Sequence, residues 1–188
     1  MKTIITMILM ISVSLSYEGV VYMDLGLAPE AEVDMDGVSL TEEIETGSVS
    51  LGWYHPVYQV SDNIGLFAGG SYELVPAKDD DVEFGFAVLY GSLGYAISDQ
   101  LSAWGSFGMS IPTSDDLKDA DAENGMHMGM GVTYSATEKI GVALGYIVNS
   151  TSTGDEDMSA DWNFSKMTLS LGYRLSVSYT HLTLPTKA

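Results

Sequence analysis

Large apolar and small or polar residues alternate with a period of two along two successive stretches in the second half of the chain. Met126, Met128, Met130, Val132 and Tyr134 are interleaved with His127, Gly129, Gly131, Thr133 and Ser135; Ile140, Val142, Leu144, Tyr146 and Val148 are interleaved with Gly141, Ala143, Gly145, Ile147 and Asn149. This is the period of a β-strand, whose successive side chains point to opposite faces. A soluble sandwich sets a bulky apolar face inside and a polar face in water. Here the bulky face is continuous, while the opposite one, built largely of Gly, Ala, Ser and Thr, is too small and polar to be a core. The pattern predicts strands with lipid outside and a narrow polar lumen inside, as in a membrane β-barrel.

The same reading divides the rest of the chain. Strand-like segments rich in Val, Tyr, Leu, Phe and Met run over 17–27, 48–60, 64–75, 82–97, 101–112, 125–135, 139–149 and 162–175. Three connections are short: Ser61-Asp62-Asn63, Ser98-Asp99-Gln100 and Ala136-Thr137-Glu138. Between them fall four longer ones, at 28–47, 76–81, 113–124 and 150–161. That alternation predicts an all-β fold, an eight-stranded antiparallel up-and-down transmembrane barrel with tight turns on one rim and larger loops on the other.

Face assignment follows from parity. Val21, Met23, Leu25 and Leu27 are expected to face lipid on the first strand, and Met167, Leu169, Leu171 and Tyr173 on the last. Together with Met126, Met128, Met130, Val132, Ile140, Val142 and Leu144 they form the expected lipid contact. In the fourth segment Phe84, Phe86, Val88 and Tyr90 read as outward, and the parity then shifts to Leu93, Tyr95 and Ile97, which predicts a bulge at Gly91 and Ser92. Tyr54, Tyr72, Tyr90, Tyr95, Tyr134, Tyr146 and Tyr173 read as an interfacial girdle. Asp24, Glu73, Glu83, His127, Lys166 and Arg174 fall on the lumen face and are expected to fill it with ion pairs and hydrogen bonds.

Charge adds a second layer. The chain carries 26 acidic residues against 7 Lys and Arg, a net charge of -19, which excludes a phosphate-reading nucleic-acid binder. Nineteen of the acids lie in the four longer connections, including Glu30, Glu32, Asp34, Asp36, Glu42, Glu43 and Glu45 in the first. Weak divalent-cation binding by Asp34 and Asp36, or by Asp155 and Asp157, is expected there, with no dedicated metal site and no cofactor. Asp119-Ala-Asp121-Ala-Glu123-Asn-Gly125 is not an EF-hand: its Gly falls one place late and Met130 stands where the bidentate Glu belongs. No cysteine is present. His55 and His127 sit in no catalytic motif, Ser110 and Ser135 being the serines considered as neighbours, so no enzyme is expected.

Both ends read as something other than barrel. Lys2, the apolar run from Ile4 to Leu15 and the small Ser14 and Ser16 predict a secretory signal over 1–16, too short for a spanning helix. From about Val177 the sequence Val-Ser-Tyr-Thr-His-Leu-Thr-Leu-Pro-Thr resembles a translated sequencing adaptor, so 176–188 are set aside as non-native and the natural C-terminus is expected elsewhere. The barrel is assigned to 17–175.

The signal-like start, the eight alternating strands, the turn and loop lengths and the closing Met167-Thr-Leu-Ser-Leu-Gly-Tyr-Arg-Leu175 resemble the small bacterial outer-membrane barrels of the OmpX and Ail type and the transmembrane domain of OmpA. The resemblance covers nearly all of 17–175. It implies a bacterial outer-membrane location, insertion by the barrel-assembly machinery, and a role in envelope integrity, adhesion or defence-protein binding through the external loops. Family strands of this kind usually end in an aromatic residue, where this chain has Leu175. The residues themselves imply a monomeric scaffold displaying acidic loops, with cations bridging them to lipopolysaccharide. A narrow pore for ions and small solutes is the alternative. A soluble lipocalin-like binder is a third reading and needs an apolar lumen and a polar exterior.

Overall fold

The computed structural model describes residues 19–35, 38–155 and 158–175. The segment read as a secretory signal, the adaptor-like tail, Asp36 and Asp157 lie outside the described residues. Eight strands form the wall: β1 (Gly19–Met35), β3 (Ser48–Ser61), β4 (Ile64–Val75), β7 (Phe86–Ala96), β8 (Leu101–Pro112), β9 (Gly125–Ser135), β10 (Ile140–Asp155) and β11 (Met158–Leu175). Each pairs antiparallel with its neighbour in sequence, and β11 pairs back onto β1 from Gly19↔Leu175 to Asp34↔Asp161. The sheet is therefore a closed eight-stranded barrel, whose wall satisfies its backbone hydrogen bonds internally. Three short strands, β2 (Val38–Glu43), β5 (Ala77–Asp79) and β6 (Val82–Phe84), and one helical turn, α1 (Asp115–Asp119), lie on the loop side.

The barrel has two halves of opposite sense. On the turn side the outward row is apolar and exposed, with Met128, Leu144, Leu169 and Leu171 all more than 40% accessible, while the lumen row is small or polar. On the loop side the sense reverses. Ala31, Ile44, Ala77, Phe86, Val88, Leu117 and Phe164 are buried together inside, and on β1 and β11 the outward row is polar.

Adjoining strands make this inversion by different means. In β11 the phase is constant and the residues change: Leu169 and Met167 give way outside to Ser165, Asn163 and Asp161, and Ser170 and Thr168 inside to Phe164 and Trp162. In β1 the odd-numbered residues stay apolar from Val21 through Val33, but the ladder slips between Leu27 and Glu30, where Ala28 adopts a φ of 45°. Two residues there oppose one, a bulge, and Glu30, Glu32 and Asp34 turn outward while Ala31 turns in. Both changes occur at one level, between the pairs Leu27↔Met167 and Glu30↔Ser165.

The structure corrects three expectations. Strand β7 pairs with β4 and β8 without a register shift, so there is no bulge at Gly91 and Ser92. Its outward row is Leu89, Leu93 and Tyr95, whereas Phe86 and Val88 point inward and are buried. The break in regularity lies at Gly85, between β6 and β7. An apolar upper lumen is the physical reason: there the aromatic row is core, and only lower down does apolar mean outward. Second, the connections read as loops at 28–47 and 150–161 are largely strand, since β1 pairs with β2 from Glu30↔Glu43 to Met35↔Val38 and β10 with β11 as far as Asp155↔Met158. Third, the segment read as loop at 113–124 contains α1, which buries Leu117 in the loop-side core.

Candidate functional site: a layered lumen

The lumen is stacked in layers, described from the loop side downward. Uppermost is an aromatic plug. Phe164 packs against Phe84 (ring centroids 4.9 Å apart) and Phe86 (5.2 Å), and stacks on Trp162 at 6.1 Å with the rings 2° from parallel. Below it Lys166 of β11 reaches across to Glu73 of β4, to which its ammonium donates, and donates also to Ser48 Oγ at 2.7 Å. Glu73 Oε2 accepts the Phe86 N–H at 3.1 Å. Both side chains of this ion pair are less than 10% accessible. Gly26 makes the crossing feasible, because a Cβ there would come within 2.9 Å of Lys166 Cδ. The void between pair and plug measures about 10 Å³. A water needs roughly 10–15 Å³ by the same measure, so the layer is at the limit of holding a single one.

Beneath the ion pair opens a cavity of about 460 Å³. Asp24, Thr168, His127 and Ile147 are among its lining residues toward the inner end, and Asp62, Asn63, Thr137, Glu138, Lys139 and Arg174 belong to the short-turn rim at its mouth. It is a blind chamber open on the turn side. Asp24 Oδ1 is buried without a hydrogen-bond partner.

The small residues of the lumen face have a specific job in shaping this chamber. Four large rings lie against glycine on a neighbouring strand. A Cβ at Gly69 would stand 2.8 Å from Tyr90 Cζ, one at Gly94 2.8 Å from Phe67 Cε2, and one at Gly131 2.6 Å from Trp104 Cζ2; Tyr22 covers Gly52 in the same way. Rings laid flat on the wall bury their faces and leave the axis open. Tyr22 and Tyr90 meet over β3 and β4, their hydroxyls 2.9 Å apart, and Tyr54 packs on Tyr22 and edge-on to Phe67.

His127 is buried on the lumen face. Its Nδ1 lies 2.7 Å from Asn149 Oδ1 and its Nε2 3.1 Å from Ser106 Oγ, with the Tyr90 ring 5.7 Å from the imidazole. Ser106, not Ser110 or Ser135, is the neighbouring serine. Ser110 instead donates to the Ser150 carbonyl at 2.6 Å.

Of the residues assigned to the lumen from parity, the structure gathers Asp24, Glu73, Lys166 and His127 in its middle layers and puts Arg174 apart at the mouth. Glu83 is the exception. It lies on β6, opposite Lys78 in a separate two-stranded ladder above the wall, where its N–H donates to Asp116 Oδ2 at 2.8 Å. The departure of the chain from the wall before Gly85 removes Glu83 from the lumen. Tyr54 and Tyr90 are also corrected, from girdle to lumen, whereas Tyr95, Tyr134 and Tyr173 lie exposed on the outside near the turns. The residues missed in the sequence are Ser48, Phe67, Trp104, Ser106 and Asn149. Their signal, an aromatic or polar partner opposite glycine or histidine, becomes visible only once cross-strand register is known. Among the described residues no three His, Asp or Glu side chains converge as a metal site.

No protein-family model and no curated protein sequence matches the chain. Solved structures do. The chain is similar to small outer-membrane barrels. Ail, the attachment invasion locus protein of Yersinia pestis, aligns with a TM-score of 0.48 at 14% identity, over 84% of this chain and 99% of that one. Neisserial surface protein A aligns at 0.48 and 10% identity, over 83% and 96%. The outer membrane protease OmpT from Escherichia coli aligns at 0.43 and 11% identity, over 84% and 96%. These are likenesses of architecture, and their range of roles means that none is carried over with the fold.

Proposed function

We propose that the protein is a bacterial outer-membrane barrel that holds an acidic, folded loop face outside the cell, with a structural or surface-interaction role. The observation carrying this reading is a coincidence of levels on the β1–β11 seam: there the exposed apolar belt ends, the acidic outer row begins and the lumen is sealed at about the same height. On β10 the belt runs outward from Ile140 to Val148. At about 3.4 Å per residue and a strand tilt of roughly 40°, that is on the order of 20 Å along the membrane normal, near the height of a transmembrane barrel belt.

Lipid and lipopolysaccharide surround the belt in this reading, and the barrel-assembly machinery inserts it. Closure of the ladder on itself supports a monomer. The loop face offers a host or surface ligand the row Glu30, Glu32, Asp34 and Asp161, with β2 exposed along its length. Divalent cations bridging this row to anionic lipopolysaccharide fit its charge.

Planar-bilayer recording on the refolded protein tests the reading against a narrow pore. The blind chamber and its roof of ion pair and rings support silence. Steady single-channel conductance at moderate voltage would overturn the sealed scaffold and favour the pore.

A further inference from the structure

Ser106, His127 and Asn149 stand on β8, β9 and β10; the register sets Asn149 directly opposite His127 and Ser106 diagonally across, beside Gly129. The order of atoms is specific. Asn149 Oδ1 lies 2.7 Å from Nδ1 and Ser106 Oγ 3.1 Å from Nε2; the tautomer with its hydrogen on Nδ1 satisfies both contacts and leaves the Nε2 lone pair for the Ser106 hydroxyl. A general base activates a serine by this connectivity, with a third group fixing the tautomer and the ring.

The surroundings point the same way. Ser106 and His127 both border the chamber, while Asn149 is buried behind them, so nucleophile and base are presented and the orienting group is shielded. Gly129 keeps the serine free to move, since a Cβ there would stand 2.6 Å from Ser106 Oγ. Trp104, two residues along β8 from Ser106, supplies an apolar wall, and Thr168 brings a hydroxyl donor to the inner end of the same space. A chamber of this volume is within the range of small-molecule sites.

We propose that the Ser106–His127–Asn149 relay hydrolyses small carboxylic esters entering the lumen from the turn side. Ser106 Oγ bonds to the carbonyl carbon as its proton passes to His127 Nε2. Collapse of the tetrahedral adduct breaks the acyl C–O bond, and the alcohol departs with that proton. Water then attacks the acyl-serine, gives a proton to His127, and the carboxylic acid leaves as Ser106 recovers its hydrogen. This activity is separate from the loop face and stands whether or not the loops bind a partner.

The test uses the refolded full barrel, p-nitrophenyl butyrate as substrate and an alkyl fluorophosphonate as covalent probe, with adducts located by peptide mass spectrometry. The fluorophosphonate should mark Ser106 in preference to Ser102 and Ser170, which border the same chamber. Ser106→Ala should lose both the adduct and the turnover. His127→Gln should slow both by about a hundredfold or more, the scale of a lost general base. Ser106→Ala is a small change, and its folding is checked by the heat-sensitive gel mobility of the barrel. Labelling of Ser106 no faster than Ser170, or ester turnover equal in the native protein and Ser106→Ala, overturns the proposal.

Discussion

Lys166→Met tests the ion pair beneath the plug with little change of shape, because the Met side chain retains most of the stem that lies over Gly26. What it removes is the ammonium. Glu73 then remains with its side chain only 6% accessible, holding the Phe86 N–H but without its counter-charge, and Asp24 lies nearby with one oxygen already unpartnered. Breaking a buried pair from one side costs roughly 3–5 kcal/mol, far above the ~0–1 kcal/mol of an exposed pair. Lys166→Met combined with Glu73→Gln removes both charges and leaves an acceptor for Phe86, so the double variant should recover to within about 1 kcal/mol of the native protein. Urea titration of the refolded barrel in phospholipid vesicles, read by gel mobility of the folded band, gives both values. A single variant within about 1 kcal/mol of native refutes the argument that this pair is a desolvated, mutually dependent unit. Neither variant should conduct, because Phe86, 2% accessible, and Phe164 still close the lumen above.

Three further outcomes follow from the same layers. Gly69→Ala should cost about 1–3 kcal/mol by pressing on the Trp53 carbonyl and pushing the Tyr90 ring off the wall, whereas Gly91→Ala, whose added carbon would meet nothing closer than 3.9 Å, should fall within about 0.5 kcal/mol of native. Leu144→Arg, at the middle of the outward belt, should cost roughly 2–4 kcal/mol in vesicles, against almost nothing for Glu32→Arg on the loop side; equal costs would remove lipid from the account of the belt. Phe164→Ala should cost roughly 3–5 kcal/mol and speed proteolysis of the loop side, since it leaves a hole between Phe84, Phe86 and Trp162; unchanged stability and cleavage would show that the plug is not a packed core.

Strand number, turn placement and most of the outward apolar row were legible in the sequence because each depends on a local period of two. Met126 to Tyr134 and Ile140 to Val148 needed no partner to be read. Failure began where the rule relating apolar residues to the outside ceased to apply. Phe86 and Val88 obey the same alternation as Leu89 and Leu93, and only the apolar nature of the upper lumen decides which row is inside. The Lys166–Glu73 pair spans 93 residues, and the Ser106–His127–Asn149 line is drawn from three strands. Neither has a linear signature. Glycine was read only as a small lumen residue; the rings that Gly52, Gly69, Gly94 and Gly131 receive come from neighbouring strands and depend on register.

The slip at Ala28 gives β1 a property that β11 lacks. Because the odd-numbered residues stay apolar on both sides of it, the apolar alternation of the strand does not mark where lipid stops; the bulge does. It acts as a movable waterline. Shifting the extra residue by two positions along β1 would leave the alternation almost untouched yet raise or lower the boundary on that side by roughly 5 Å, given the rise per residue and the strand tilt. On β11 the same displacement would require exchanging two apolar residues for two polar ones. The barrel's height in a membrane is thus adjustable on one seam by moving a single kink, and on the seam beside it only by rewriting side chains.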